Sequence, residues 1–223
     1  MLTFYIVTIF PELFDSWSHI ALFGKAVDKK LVKLEYINPR QFTTDRHQTV
    51  DDKVYGGGEG LLMKAKPAID AVNHAVAMIG DHPFQIIYPS PSTVYFEQAK
   101  AFELCTQQHI ILICGRYEGI DHRFEQYCLD HYPEQFHKRS VGKYITYGWE
   151  VPCMLIMEAV TRLLPGWTHK PPVTESYYPQ VWADTIENPH YTRPQEVYAY
   201  KIPDILLSGH HKNIDTWRED MMT

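Results

Sequence analysis

Short apolar runs alternate with longer amphipathic segments along the first two thirds of the chain. The apolar runs have the length of strands and cover residues 2–8, 31–37, 84–88 and 110–114. Helix-like periodicity is found at residues 67–78, 93–105 and 150–164. Alternation of this kind predicts an α/β fold made of βαβ units, with a parallel sheet between layers of helices.

The apolar run at residues 110–114 ends abruptly in Gly-Arg-Tyr-Glu-Gly-Ile-Asp at residues 115–121. A continuous apolar run bounded by glycine is typical of a strand that is buried on both faces. Ligands of open α/β sheets bind at the carboxyl ends of the strands. The segment 115–121 is therefore a candidate ligand loop.

Two other segments have the same character. They are Tyr-Pro-Ser-Pro-Ser at residues 88–92 and Ser-Val-Gly-Lys-Tyr-Ile-Thr-Tyr-Gly at residues 140–148. Small residues let backbone N–H and C=O groups approach a ligand closely, so the three loops together would form a pocket that reads a purine through the main chain. The alternative is three ordinary βα turns. The run Gly-Gly-Gly-Glu-Gly at 56–60 lacks the phosphate-loop and dinucleotide patterns and fits a structural turn equally well.

The texture of the chain changes after residue 166. Residues 167–194 are polar and rich in proline and aromatic residues, which indicates a long functional loop or linker. A short terminal module follows and carries a predicted last helix. We therefore expect a main domain at residues 1–166, a linker at 167–188 and a C-terminal module at 189–223.

Composition narrows the possible functions. The chain has 223 residues and a net charge of -6, so any binding of nucleic acid needs a local basic patch or a dimer surface. Its four cysteines have no C-x-x-C spacing and are expected to be buried thiols; no metal-ligand motif is present. No apolar stretch is long enough for a bilayer, and the amino terminus does not read as a signal peptide. A cytoplasmic location without membrane contact is the expectation.

Several motifs carry a resemblance to a known family. They are VDDKVYGGG at 50–58, CGRYEGID at 114–121, SVGKYITYGWEVP at 140–152, AVTR at 159–162, PHYTRP at 189–194 and LLSGHH at 206–211. In this order they resemble the motifs of the TrmD-type tRNA (guanine-N1-)-methyltransferases of the SPOUT superfamily. The resemblance extends over nearly the whole chain.

The resemblance implies a fold and a set of partners. The fold is the SPOUT type, a parallel α/β sheet with a deep trefoil knot, followed by a small, mostly helical C-terminal domain that binds tRNA. The family forms obligate homodimers with each active site at the subunit interface. S-adenosylmethionine is the methyl donor, and magnesium is suggested as an additional requirement.

Matched position by position, the family's donor pocket falls on the three candidate loops. The implied donor-binding residues are Tyr88, Pro89, Ser90, Pro91, Gly115, Tyr117, Glu118, Ser140, Val141, Gly142, Tyr144, Thr146, Gly148 and Pro152. Basic residues that would contact tRNA phosphates are Arg116, Lys138, Arg139, Lys170 and Arg193.

The expected reaction is methylation of N1 of the guanosine at position 37 of tRNA. Guanine N1 carries a proton at neutral pH, so a general base must remove it, and a cation should stabilise the negative charge that builds on O6. The resemblance makes Arg162 that cation. It makes Glu175 the base, with Asp184 as the rival because the linker differs in length.

Four features depart from the family pattern. Glu59 replaces a proline, Trp149 a glycine and Glu175 an aspartate, and relatives continue beyond Arg218 with a more basic tail. The family pattern puts Glu59, Trp149 and Glu175 on the acceptor half of the site. Two alternatives to the expected reaction therefore remain. One is a paralogue that methylates another nucleoside or a small molecule, and the other is a non-catalytic RNA- or nucleotide-binding relative.

Overall fold

A computed structural model describes residues 1–167, 176–177 and 185–223. The chain divides into two compact units, Met1–Thr168 and His169–Thr223. No helix among the described residues is long and apolar enough to cross a membrane.

The first unit contains a five-stranded parallel sheet. Its strands are β1 Leu2–Val7, β2 Val32–Ile37, β5 Gln85–Pro89, β6 His109–Ile113 and β7 Phe136–Arg139. They lie in the order β2-β1-β6-β5-β7. The central strand β6 pairs with β1 and β5, and residues 110–113 are fully buried. A parallel sheet needs helices on both faces, which explains why its central strand is apolar throughout.

Helices cover both faces of this sheet. They are α1 Glu12–Ser18, α2 Ala21–Asp28, α3 Ala65–Ile79, α4 Gln98–Leu104, α5 Arg123–His131 and α6 Glu150–Thr161. Side chains of α3 and α5 pack on the face that carries Tyr5, Ile111 and Tyr88. Side chains of α1, α2, α4 and α6 pack on the opposite face, with Phe4 and Leu112. The predicted α/β class and parallel sheet are confirmed.

A small antiparallel hairpin stands apart from the main sheet. It consists of β3 Asp51–Lys53 and β4 Leu61–Met63, joined by the glycine-rich segment 54–60. Gly56, Gly57 and Gly58 have positive φ and are exposed, as expected for a turn that only glycine adopts without strain. The hairpin is held by the loop after β6, because Glu118 N donates to Leu61 O and Met63 N donates to Gly119 O.

The described part of the second unit comprises residues 176–177 and 185–223. It contains a short hairpin of β8 Glu196–Val197 and β9 Tyr200–Lys201, a 3₁₀ turn at Asp204–Leu207 and helix α7 His211–Asp220. Ile214 of α7 is buried, and Tyr191 lies 6.4 Å from Trp217, centroid to centroid. The predicted last helix is therefore present.

Candidate active site

The candidate site lies at the carboxyl edge of the parallel sheet. Strands β5, β6 and β7 are neighbours, so the loops that follow them meet at this edge. These loops are the three segments that the sequence singled out for their small residues. Between the loops after β5 and β7 lies a pocket of about 320 Å³, which is within the range that holds small-molecule ligands.

Nine of the predicted donor-binding residues line this pocket. They are Pro89, Ser90, Pro91, Ser140, Val141, Gly142, Tyr144, Thr146 and Pro152. The loop after β5 and the loop after β7 are thus brought together with the first turn of α6. Whether these residues bind the donor stays a prediction, but the structure does assemble them around one cavity.

The loop after β7 is tied down by its own hydrogen bonds and by the segment before α4. Ser140 N donates to Val94 O at 2.9 Å, and Phe96 N donates to Ser140 O at 2.8 Å. The Ser140 hydroxyl donates to Gly142 O at 3.0 Å. This pairing includes a bridge between Tyr95 and Ser140, and α4 begins only at Gln98, so the helix predicted at 93–105 is shorter than expected.

Four further residues line the pocket that the family pattern did not assign to the donor. They are Ser92, Lys143, Ile145 and Trp149. Ser92, Lys143 and Ile145 lie inside the small-residue segments, so that signal could have found them. The family pattern predicts Trp149 on the acceptor half, yet its indole lies among the predicted donor residues. No local pattern reveals this position, because it depends on packing between distant segments.

Trp149 packs tightly against the loop after β6. A Cβ atom at Gly115 would lie 2.5 Å from the indole ring, so only glycine at position 115 lets the ring lie there. Trp149 N donates to Gly115 O at 3.1 Å. The indole also meets Tyr88 edge-on, with a centroid distance of 4.8 Å.

An ion pair between Arg116 and the buried Glu150 stabilises the same region. Arg116 Nε lies 3.0 Å and 2.9 Å from the two carboxylate oxygens of Glu150, which is 1% exposed. The Thr8 hydroxyl donates to the same carboxylate at 3.2 Å, and the Arg116 guanidinium lies over the Phe10 ring. At Gly148 a Cβ would lie 2.6 Å from Glu150 Oε2. The pair thus joins the ends of β1 and β6 to the start of α6.

The remaining five predicted donor residues do not line the pocket. Tyr88 and Gly115 lie against Trp149, and Gly148 is buried beside the Arg116–Glu150 pair. Tyr117 and Glu118 lie on the hairpin side of the loop after β6. Tyr88 and Gly115 do not line the cavity because the Trp149 indole packs against both residues and lines the cavity in their place.

Electrostatics around the loop after β6 follow from its contacts. The Tyr117 hydroxyl donates to Asp51 Oδ1 at 3.1 Å, and burial together with this carboxylate raises the pKa of Tyr117. Burial raises the pKa of Tyr88 still further. The hydrogen bond from Arg123 lowers the pKa of Asp121. Both tyrosines therefore remain neutral at physiological pH, and Asp121 remains ionised.

The predicted catalytic residues are not all within the described part of the chain. Arg162 follows the last turn of α6 and is exposed. Ten residues separate it from Pro152 at the start of that helix, which corresponds to about 15 Å along the axis. The pocket and Arg162 thus lie at opposite ends of one helix. Glu175 and Asp184 lie outside the described residues, as does the predicted phosphate contact Lys170.

All four cysteines are free thiols, and Cys114, Cys128 and Cys153 are buried as expected, whereas Cys105 is only partly buried. Burial raises the pKa of Cys114, whose Sγ lies 3.4 Å from that of Cys153. Within the described ranges, no group of three or more histidine, cysteine or acidic side chains is arranged to hold a metal ion.

The fold and the pocket define a class of protein. It is an α/β protein with a small-molecule pocket at the carboxyl edge of its parallel sheet, lined by apolar rings, hydroxyls and main-chain groups. Residues 2–223 match the family described as tRNA (Guanine-1)-methyltransferase TrmD. The chain belongs to this family, and the resemblance carried by its motifs is confirmed.

Curated relatives agree with this membership. A tRNA (guanine-N(1)-)-methyltransferase of Pseudomonas fluorescens SBW25 is 43% identical over 215 residues, which are 96% of this chain and 82% of the relative. The protein of the same name from Haemophilus influenzae PittEE is 41% identical over 96% of this chain and 83% of the relative. That from Pseudomonas syringae pv. tomato DC3000 is 44% identical over 96% of this chain and 82% of the relative.

Proposed function

We propose that this chain transfers a methyl group from S-adenosylmethionine to N1 of the guanosine at position 37 of tRNA. Membership of the TrmD family and the names of the relatives support methylation of tRNA guanine at N1. The single observation that carries the proposal to this chain's own residues is the pocket at the sheet edge. It gathers nine of the fourteen residues that the family pattern predicts for the donor.

The residues around the pocket suit S-adenosylmethionine. The rings of Pro89, Pro91 and Trp149 offer apolar surface for a planar base, and the hydroxyls of Ser90 and Ser92 offer polar contacts. When bound, S-adenosylmethionine supplies an electrophilic methyl group on a sulfonium. The protein's part is to hold the target nitrogen next to that methyl group and to exclude water.

Two side chains are proposed to act on the guanine. A carboxylate, Glu175 or its rival Asp184, removes the N1 proton so that the nitrogen lone pair becomes nucleophilic. Arg162 stabilises the negative charge that moves to O6. The proton passes to the carboxylate, the new bond is N1–CH₃, and the electron pair of the broken bond stays on sulfur.

Assembly as a homodimer is also part of the proposal. Val151 and Leu155 lie one turn apart on α6, and both are exposed, as are Ile145 and Tyr147 of the neighbouring loop. Arg162 follows on the same face of the helix. A second copy that covers this face would bury the apolar side chains and bring Arg162 to a shared site. We also propose that the first unit contains the trefoil knot of the family.

The proposal also extends to tRNA contacts, magnesium and the place of action. Arg193, Lys138 and Arg139 are offered as phosphate contacts, with the C-terminal module as the main tRNA-binding part. Lys138 lies 2.9 Å from Glu125 and Arg116 is paired with Glu150, so a phosphate contact by either residue would compete with an ion pair. We also propose a magnesium requirement, on the family resemblance, and action in the cytoplasm, on the sequence of the amino terminus.

Methyl transfer to tRNA transcripts tests the proposed function. Two transcripts that differ only in guanosine or adenosine at position 37 are incubated with the protein and labelled S-adenosylmethionine. We expect incorporation into the guanosine transcript and none into the adenosine transcript. Equal incorporation would favour a paralogue with another target nucleoside. Donor binding without turnover on any RNA would favour a non-catalytic binding protein.

The base is assigned by a matched pair of substitutions. Glu175→Gln is expected to lose methyl transfer and Asp184→Asn to keep it, with donor binding unchanged in both. Full activity of Glu175→Gln together with loss in Asp184→Asn would move the role to Asp184.

A further inference from the structure

Trp149 separates two of the predicted donor residues from the cavity. Its indole lies over Gly115, where a Cβ would come within 2.5 Å of the ring, and meets Tyr88 edge-on at 4.8 Å. The same residue lines the pocket. The inner surface that a donor meets at this point is therefore an indole, where the family motif has a glycine.

The indole is held in place by the protein itself. The Trp149 main-chain N–H donates to Gly115 O, and Trp149 packs against the core cluster that contains Tyr88 and Phe136. The residues on either side of it, Gly148 and Glu150, are buried. A ring fixed in this way loses little conformational entropy when a ligand packs against it.

The pocket around the indole suits a planar base. Pro89 at the end of β5 and Pro91 in the following loop supply rigid apolar rings, and Pro152 supplies a third from the first turn of α6. Aromatic rings stack favourably on nucleobases. We propose that Trp149 forms the inner wall of the donor pocket and positions the adenine of S-adenosylmethionine by direct aromatic contact. This inference rests on the proposed function.

The alternative is that the Trp149 indole blocks part of the donor site instead of forming a surface that contacts the donor. If the indole only filled the space that a donor needs, the donor would have to displace it, and shortening the side chain would strengthen donor binding. If the indole is the wall, shortening it removes the contact surface and weakens donor binding. The two cases predict effects of opposite sign.

Donor affinity in three proteins distinguishes them. S-adenosylhomocysteine is titrated calorimetrically into the wild type, Trp149→Phe and Trp149→Gly. Loss of one base-stacking ring corresponds to about 5- to 150-fold weaker binding, so we expect a change in this range for Trp149→Gly and a smaller one for Trp149→Phe. Unchanged or tighter binding of S-adenosylhomocysteine by Trp149→Gly would overturn the proposed contact between Trp149 and the donor. The KM for tRNA should stay within about twofold, because the contact is with the donor.

Intrinsic fluorescence gives a second readout that a merely structural role would not move. Donor binding should change the tryptophan emission of the wild type and of the control Trp17→Phe, whose indole packs on Phe23 in α2. The change should vanish in Trp149→Phe, which conserves an aromatic ring and guards against misfolding of the glycine variant. Persistence of the full change in Trp149→Phe would contradict the inference.

The same titrations separate the proposed function from the role of Trp149. A wild type that binds no S-adenosylhomocysteine would overturn the proposed function and this inference with it. A wild type that binds it, with Trp149→Gly and Trp149→Phe indistinguishable from it, would overturn this inference alone.

Discussion

Two regions next to the pocket and along helix α6 are built in different ways. The inner wall, defined here as Gly115, Arg116, Gly148, Trp149 and Glu150, is held by a buried ion pair and by close packing on glycine backbone. The outer face, defined here as Ile145, Tyr147, Val151, Leu155 and Arg162, is exposed. Ile145 is 98% exposed and Tyr147 is fully exposed, although both are large apolar side chains.

The inner wall and the outer face differ in whether a single chain satisfies them. In the inner wall the buried Glu150 carboxylate has its counter-charge, Arg116, within the same chain, and an unpaired buried charge would be costly. The outer face leaves four large apolar side chains exposed, and exposed apolar surface is typical of a site that binds a partner. We therefore expect substitutions in the inner wall to affect folding and donor binding, and those on the outer face to affect assembly and turnover.

The largest expected effect is on turnover, from Arg162→Ala. Loss of one group that stabilises a developing oxyanion costs about 10²- to 10³-fold in kcat. Donor affinity should stay at the wild-type value because the inner wall is intact. Lys29→Ala, on the surface at the end of α2, serves as the charge control. Wild-type kcat in Arg162→Ala would remove this residue from the chemistry.

The next largest effect is on stability, from Arg116→Ala. Removal of the arginine leaves the Glu150 carboxylate buried without its cation, which is expected to lower the free energy of unfolding by about 3 kcal/mol. Denaturant titration measures the change.

Arg123→Ala is the matched control for that substitution. Arg123 pairs with Asp121 at the other end of the same loop, but its side chain is 69% exposed. Solvent screens an exposed pair, so the expected loss of unfolding free energy is much smaller than that of Arg116→Ala. Equal losses in the two variants would mean that the inner wall is not held by its buried pair.

A smaller effect is expected on assembly, from Leu155→Asp. Two symmetry-related charges in a homodimer interface would weaken association by at least about 10-fold, because like charges brought together are costly. Sedimentation velocity across a concentration series measures the shift. Met78→Asp places the same charge on an equally exposed residue of α3 and should leave the dimer intact. A dimer that tolerates Leu155→Asp would mean that the outer face is not the interface.

The smallest effect is on the pH dependence of the free energy of unfolding, through the exposed pair of Arg123 and Asp121. The folded pKa of Asp121 is lowered by Arg123, so the folded state binds fewer protons in acid than the unfolded chain. The stability from this pair is therefore complete above about pH 4 and is lost as pH falls through the folded pKa. The difference in unfolding free energy between wild type and Arg123→Ala should narrow from about pH 6 to about pH 3. A constant difference would show that the two charges do not interact.

Much of the sheet could be predicted from apolar runs alone. The runs at residues 2–8, 31–37, 84–88 and 110–114 correspond to strands of the sheet, with bounds that shift by at most one residue. Strand β7 was missed because Phe136–Arg139 is short and three of its four residues are polar or charged. Its strand conformation comes from pairing with β5, which lies far away in sequence.

The site was predictable where its residues are local and unpredictable where distant segments pack. Glycine and proline next to strand ends pointed to the loops around residues 90 and 141. Nothing in the sequence placed Trp149 over Gly115, or paired Arg116 with a carboxylate 34 residues away. Both contacts depend on how the end of β6 meets the start of α6.

Identification of the modified nucleoside is the most direct test of methylation at guanine N1. A guanosine-37 tRNA transcript is incubated with the protein and with S-adenosylmethionine that carries a deuterated methyl group, then digested and analysed by mass spectrometry. We predict 1-methylguanosine with the deuterium mass shift, at up to one per transcript. A deuterated methyl group on any other nucleoside or atom, or no methylated nucleoside while the donor binds, would contradict the proposed methylation of guanine N1.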